Sequence, residues 1–145
     1  MTTNPSLDDI RRIYAESRTI AVVGASPDTS KRAHVVPAYL QEIGYRIIPV
    51  NPNHQEILGE PSYPALEDIP EPVDVVEVFR PFEEAPGIAE SAAAIGAKVL
   101  WLQVGIMSEE AGRIATEAGM TFVSNLCMGA MHAMLELGPG PEATD

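Results

Sequence analysis

The chain of 145 residues is the length of one ordinary domain, enough to bury roughly 68% of its unfolded surface in a single core. With 46% apolar and 21% charged residues, it lacks the composition of a disordered protein. Its net charge of −12, with only nine Lys and Arg, opposes a phosphate backbone and argues against nucleic acid as a partner.

Ser6 precedes Leu7, Ile10 and Tyr14 at helical spacing, with Asp8 and Asp9 in the first turn, which predicts a short leading helix. The opening segment has neither a basic n-region nor an apolar h-region, and no apolar run approaches the roughly 18 residues of a membrane span. A cytoplasmic protein with no membrane partner is expected. Residues 19–25, TIAVVGA, are an apolar, β-branched run stopping at Gly24, as a strand buried on both faces does. HVVPAYLQEIG, from His34 to Gly44, reads as a helix with Val36, Tyr39, Leu40 and Ile43 on one face and Pro37 in its first turn. Four more strands follow: YRIIPV at 45–50, VDVVEVF at 73–79, AKVLWLQ at 97–103 and MTFVS at 120–124. Helical segments separate most of them: EEAPGIAESAAAIG, then EEAGRIATEAG capped by Ser108, and finally MGAMHAMLELG. The second strand is followed instead by a Pro-rich connection in which only YPALEDI suggests a helical turn. Alternation of this kind predicts a single α/β domain over residues 1–138: a Rossmann-like, doubly wound parallel five-stranded sheet in three α/β/α layers, with strand order 3-2-1-4-5. Residues 139–145 read as a disordered tail.

Ligands of such sheets bind beyond the carboxyl ends of the strands. The loops there are Gly24-Ala25-Ser26-Pro27, Asn51-Pro52-Asn53, Arg80-Pro81-Phe82 and Gln103-Val104-Gly105. A dinucleotide site needs G-x-G-x-x-G after the first strand and an acidic residue ending the second; only the first glycine is kept, and Val50-Asn51-Pro52 supplies no carboxylate. GASPDTSK is not a P-loop either, because no glycine precedes Lys31 and Arg32 stands where Ser or Thr is required. A helix N-terminus near His34, preceded by Lys31 and Arg32, is suited to an anion through free amides, dipole and charge together. Three of the nine cations, Lys31, Arg32 and Arg80, gather on this edge, which points to a polyanionic ligand; the alternative is a pair of solvated loop residues.

The order and spacing of AVVGAS with its following basic residues, YLQEIGYRIIPVNP, LGEPSYPALEDIPEPVDVVEVFRP, GAKVLWLQVGI and NLCM resemble the small stand-alone CoA-binding proteins. These are related to the CoA-binding domain of the succinyl-CoA synthetase α subunit, and the match spans nearly the whole chain. The resemblance implies coenzyme A, or an acyl-CoA, laid across the strand ends. Its diphosphate would lie near Gly24, Ala25, Ser26, Lys31 and Arg32, and Val50, Asn51 and Pro52 would flank the nucleotide. Arg80 would meet a phosphate, Phe79 would form an apolar wall, and Gln103 and Gly105 would line the pantetheine path. The catalytic phosphohistidine of the synthetases belongs to a further domain, so the resemblance carries the ligand and not the reaction.

Cys127, the single cysteine, rules out an internal disulfide and is the one candidate nucleophile, for exchange with a CoA thiol or acyl group; the alternative is a small buried residue. With His34, His54 and His132 it shows no paired ligand spacing, so no metal is expected. His132, beside Met128, Met131 and Met134, reads as a packed histidine, Trp101 as core, and Glu77 in VVEVF as a carboxylate on a strand near an edge, the alternative being a perturbed, functional group. Two classes remain: a CoA-binding module with no catalytic set of its own, or an enzyme acting on an acyl-CoA or CoA thiol through Cys127. An NAD(P)-binding regulator is a further alternative, weakened by the missing acidic residue. A homodimer through the apolar C-terminal helix, or assembly with a partner enzyme subunit, is compatible with either class.

Overall fold

The computed structural model describes residues 3–143. Five parallel strands, β1 (Thr19–Val23), β2 (Arg46–Val50), β5 (Val75–Val78), β6 (Val99–Leu102) and β7 (Thr121–Val123), form one sheet in the order β2-β1-β5-β6-β7. A separate antiparallel pair, β3 (Glu56–Ile57) and β4 (Glu60–Pro61), lies in the Pro-rich connection. The helices are α1 (Leu7–Glu16), α2 (Arg32–Glu42), α3 (Ala85–Ala94), α4 (Glu109–Glu117) and α5 (Met128–Met134), with 3-10 turns at Leu66–Asp68 and Phe82–Glu84.

Strand alternation divides the core. Ile20, Val22, Val75, Val99, Trp101 and Val123 face α1, α2 and α5, while Ala21, Val76, Val78, Leu100, Leu102 and Phe122 face α3 and α4. On the second side Ala85, Ala89, Ala92, Ala111 and Ala115 are fully buried. Their short side chains let α3 and α4 pack closely on the sheet and on each other. Ser6 and Ser108 cap α1 and α4 as their positions predict, accepting from Asp9 N and Ala111 N, both at 3.1 Å.

The expected strand order, 3-2-1-4-5, is corrected: counted over the five long strands, the order is 2-1-3-4-5. The reason lies in Pro49. Its carbonyl points away from β1 and accepts from Tyr63 N at 3.1 Å, so the side of the backbone without an N–H faces the outer edge of the sheet. A strand with that gap is suited to an edge, and a single bridge from Val50 to Tyr63 covers it. The third long strand, β5, therefore inserts between β1 and β6. That placement also overturns the edge reading of Glu77, which lies in the central strand and is fully buried.

Residues 139–143, expected in a disordered tail, cross the start of β2: Gly140 N donates to the Ile43 carbonyl at 2.7 Å and Glu142 N to the Gly44 carbonyl at 2.6 Å. Residues 144–145 of that tail, and residues 1–2 of the expected domain, lie outside the described residues.

Candidate functional site

The loops after β1, β2 and β5 are pulled together by Gly24 and Asn51. Gly24 has φ +89°, and a Cβ there would stand 2.7 Å from the Phe79 carbonyl oxygen and 2.9 Å from Arg80 Cδ. Only glycine lets the two loops approach so closely. The amide of Gly24 donates to the Val50 carbonyl at 3.0 Å, continuing the ladder past the strand ends. Asn51 Nδ2 donates to the Ala25 carbonyl at 2.9 Å, and Asn51 Oδ1 accepts from Asn53 N at 2.8 Å, so one side chain ties two loops and closes its own turn.

Above them lies a cavity of about 340 Å³ whose lining includes Gly24, Val50, Asn51, Pro52, Arg80 and Glu84. It runs into a second hollow of about 370 Å³, lined by Leu66, Glu67, Glu83, Gly87 and Ser91 among others. Val23, Val50, Pro64, Glu84 and Ile88 line both, so the two form one cleft between the strand ends and α3. Arg80 is the cation among these lining residues, and its guanidinium is paired: Nε and Nη2 donate to the two carboxylate oxygens of Glu84 at 3.1 and 2.7 Å. That pairing holds the Glu84 carboxyl below its ordinary range and raises Arg80. Other hollows exist at the opposite end of the sheet, such as that around Lys98, Val99 and Thr121, where β6 and β7 begin.

The remaining expected site residues are distributed around the cleft. Ala25 is buried beneath it. Ser26 is the hub of the loop into α2: its Oγ accepts from Asp28 N at 3.0 Å, and its carbonyl meets His34 Nδ1 at 2.8 Å. Asp28 accepts from the amide and hydroxyl of Ser30 at 3.0 and 2.7 Å, which lowers its carboxyl. Lys31 and Arg32, exposed at the start of α2, lie outside the cavity lining. Phe79 packs against the core on the α1 side. Gln103 is buried and donates through Nε2 to Glu77 Oε2, while the other oxygen of Glu77 has no hydrogen-bond partner among the described residues. Burial pushes the Glu77 carboxyl up to about 8. Gly105, at φ +86°, donates its amide to Asn125 Oδ1 at 2.7 Å. Cys127 is half-buried and caps α5, accepting from Ala130 N at 3.4 Å. His132 bridges the Tyr39 hydroxyl, at 3.1 Å, and the Gly138 carbonyl, at 2.8 Å, as a packed histidine does. The residue that sequence reasoning missed is Glu84; its signal was the i, i+4 spacing from Arg80.

Among the described residues there is no group of three or more His, Cys, Asp and Glu able to hold a metal, and no helix long and apolar enough to cross a membrane. The arrangement defines a Rossmann-like α/β protein with a cleft at the carboxyl ends of β1, β2 and β5. The chain belongs to the CoA binding domain family, whose model matches residues 18–133. It is 41% identical over 131 residues to the uncharacterized protein YneT of Bacillus subtilis, covering 90% of this chain and 97% of that protein. ADP-forming acetate-CoA ligase I of Archaeoglobus fulgidus is 26% identical over 130 residues, covering 83% of this chain but only 19% of the ligase. Among solved structures, a hypothetical protein from Pyrococcus horikoshii superposes with a TM-score of 0.89 at 39% identity, over 94% of this chain and 98% of that one.

Proposed function

We propose that the chain holds coenzyme A, or an acyl-CoA, across the carboxyl ends of β1, β2 and β5, as a cytoplasmic binding module rather than as an enzyme in its own right. The observation that carries this reading is the convergence of Gly24, Val50, Asn51, Pro52 and Arg80 on one cleft, in a member of the CoA binding domain family. In this reading the nucleotide lies against Asn51 and Pro52. The diphosphate lies over Gly24, Ala25 and Ser26, on the side of Lys31 and Arg32 at the exposed start of α2. Phe79, whose side chain packs into the core on the α1 side, contributes its backbone beside Gly24, and Gln103 and Gly105 mark the far end of the path. Gln103 acts there through its position at the end of β6, since its side chain is engaged by Glu77. The named ligase is much longer than this chain, so a carrier role or work beside a separate enzyme subunit fits the same reading.

Isothermal titration with CoA, dephospho-CoA and NAD tests it on the wild type, Arg32→Ala and Arg80→Ala. CoA is expected to bind, and to lose about 1.5 to 3 kcal/mol where a charged hydrogen bond is removed. Binding of NAD alone, or of no ligand, would overturn the proposal.

A further inference from the structure

The cleft brings an anion to a guanidinium that already has one. Both nitrogens that Arg80 turns toward Glu84 meet carboxylate oxygens, at 3.1 and 2.7 Å, and both residues line the same cavity. Among the described residues no other cation lines the two joined hollows, whereas Glu67, Glu83 and Glu84 do. A phosphate entering there meets a net negative wall and one arginine whose Nε–Nη2 side is occupied. Planar bidentate geometry suits carboxylate and phosphate equally, so the two compete for the same N–H groups. We infer that Glu84 is a resident competitor for the ligand's phosphate: Arg80 exchanges the Glu84 carboxylate for a phosphate oxygen on binding, and Glu84 thereby sets the affinity of the site.

This rests on the CoA reading above, and the geometry makes the exchange easy. Arg80 and Glu84 are each 46% exposed in their side chains, so the freed carboxylate turns into water rather than into the core. A Cβ at Gly24 would stand 2.9 Å from Arg80 Cδ, so the glycine leaves the arginine stem room beside the loop after β1. An exposed ion pair of this kind costs little to open, and its loss is worth about a two- to fivefold change in affinity.

The test is a double-mutant cycle of Glu84→Gln and Arg80→Ala, titrated with CoA and with dephospho-CoA, which lacks the terminal phosphomonoester. Glu84→Gln is expected to tighten CoA by about two- to fivefold with Arg80 present and to change nothing in the Arg80→Ala background. Tightening of CoA alone assigns the terminal phosphomonoester to Arg80; equal tightening of both ligands assigns the diphosphate, and either supports the exchange. Weaker CoA binding by Glu84→Gln would mean that Glu84 orients Arg80 and would overturn the inference. So would equal tightening in the Arg80→Ala background, the mark of a general charge effect. A wild type that binds neither ligand instead removes the CoA reading on which the exchange stands.

Discussion

Glu77 places a carboxyl group in the middle of a parallel sheet, paired on one oxygen with Gln103 and unpartnered on the other among the described residues. Burial disfavours the anion, and the group moves from its ordinary value of 4.5 to about 8. Between those two values the unfolded chain has released the proton and the folded chain still holds it. The folded state then binds more protons, so stability falls as pH rises from about 4.5 to 8 and levels off above. Urea unfolding of wild type and Glu77→Gln across pH 5 to 9 checks this. Glutamine keeps an acceptor for Gln103 but cannot titrate, so the wild type should lose on the order of 1 kcal/mol per pH unit relative to the variant below pH 8. Parallel curves would mean that Glu77 does not hold its proton. At this scale the sequence was a partial guide. Gly24, Asn51 and Arg80 were legible because they follow strand ends, where ligands of such sheets collect. The side-chain role of Gln103 was not legible: strand parity turns it to the same face as Glu77, and a buried carboxyl with an amide neighbour binds it.

At the level of elements, the five long strands and five helices were readable because each apolar run or helical face ends at a turn or cap signal. The small β3–β4 pair was not. Its turn is Leu58-Gly59, with Leu58 at φ +58°, where the strong hairpin signal is Asn-Gly or Asp-Gly. What secures the strand starts is Asp74, just before β5. One oxygen of its carboxylate accepts from Arg18 N at 2.8 Å and Thr19 N at 3.0 Å, holding the entry to β1, and its backbone carbonyl accepts from Lys98 N and Val99 N, each at 3.0 Å, at the entry to β6. Asp74→Ala removes the side-chain half of that clamp and strands two amides. Hydrogen bonds to a charged acceptor are worth about 1.5 to 3 kcal/mol each, and Arg18 N regains water, so a net loss of about 2 kcal/mol is expected in chemical denaturation. Asp74→Asn keeps one acceptor oxygen and should lose less; equal losses would show that the charge, not the hydrogen bonds, carries the effect.

For the molecule as a whole, the two ends of the sheet have different work. The cleft, with Gly24, Asn51 and Arg80, lies at the carboxyl ends of the strands. Residues 139–143 cover the other end, where Gly44 and Tyr45 lead into β2. The sequence suggested a free tail there because Gly138, Pro139, Gly140 and Pro141 carry no helix or strand pattern. Its attachment is made by backbone amides instead, through Gly140 and Glu142, with Arg18 and Glu142 adding an exposed ion pair at 3.6 Å. Such an attachment has no periodicity to read. Pro139, Gly140 and Pro141 also line a hollow with Tyr14 and Tyr45, so removing them opens the aromatic cluster to water. A chain ending at Gly138 should therefore be less stable by about 1 to 2 kcal/mol, from two lost backbone hydrogen bonds and newly exposed apolar surface. Because the segment is at the sheet end remote from the cleft, its CoA affinity should stay within about twofold of the intact chain. Thermal unfolding and titration of the same truncated protein separate the two effects: a lowered Tm with unchanged affinity confirms the division. A lost affinity at unchanged Tm would mean that residues 139–143 communicate with the cleft through α2, whose carboxyl end they hold at Ile43.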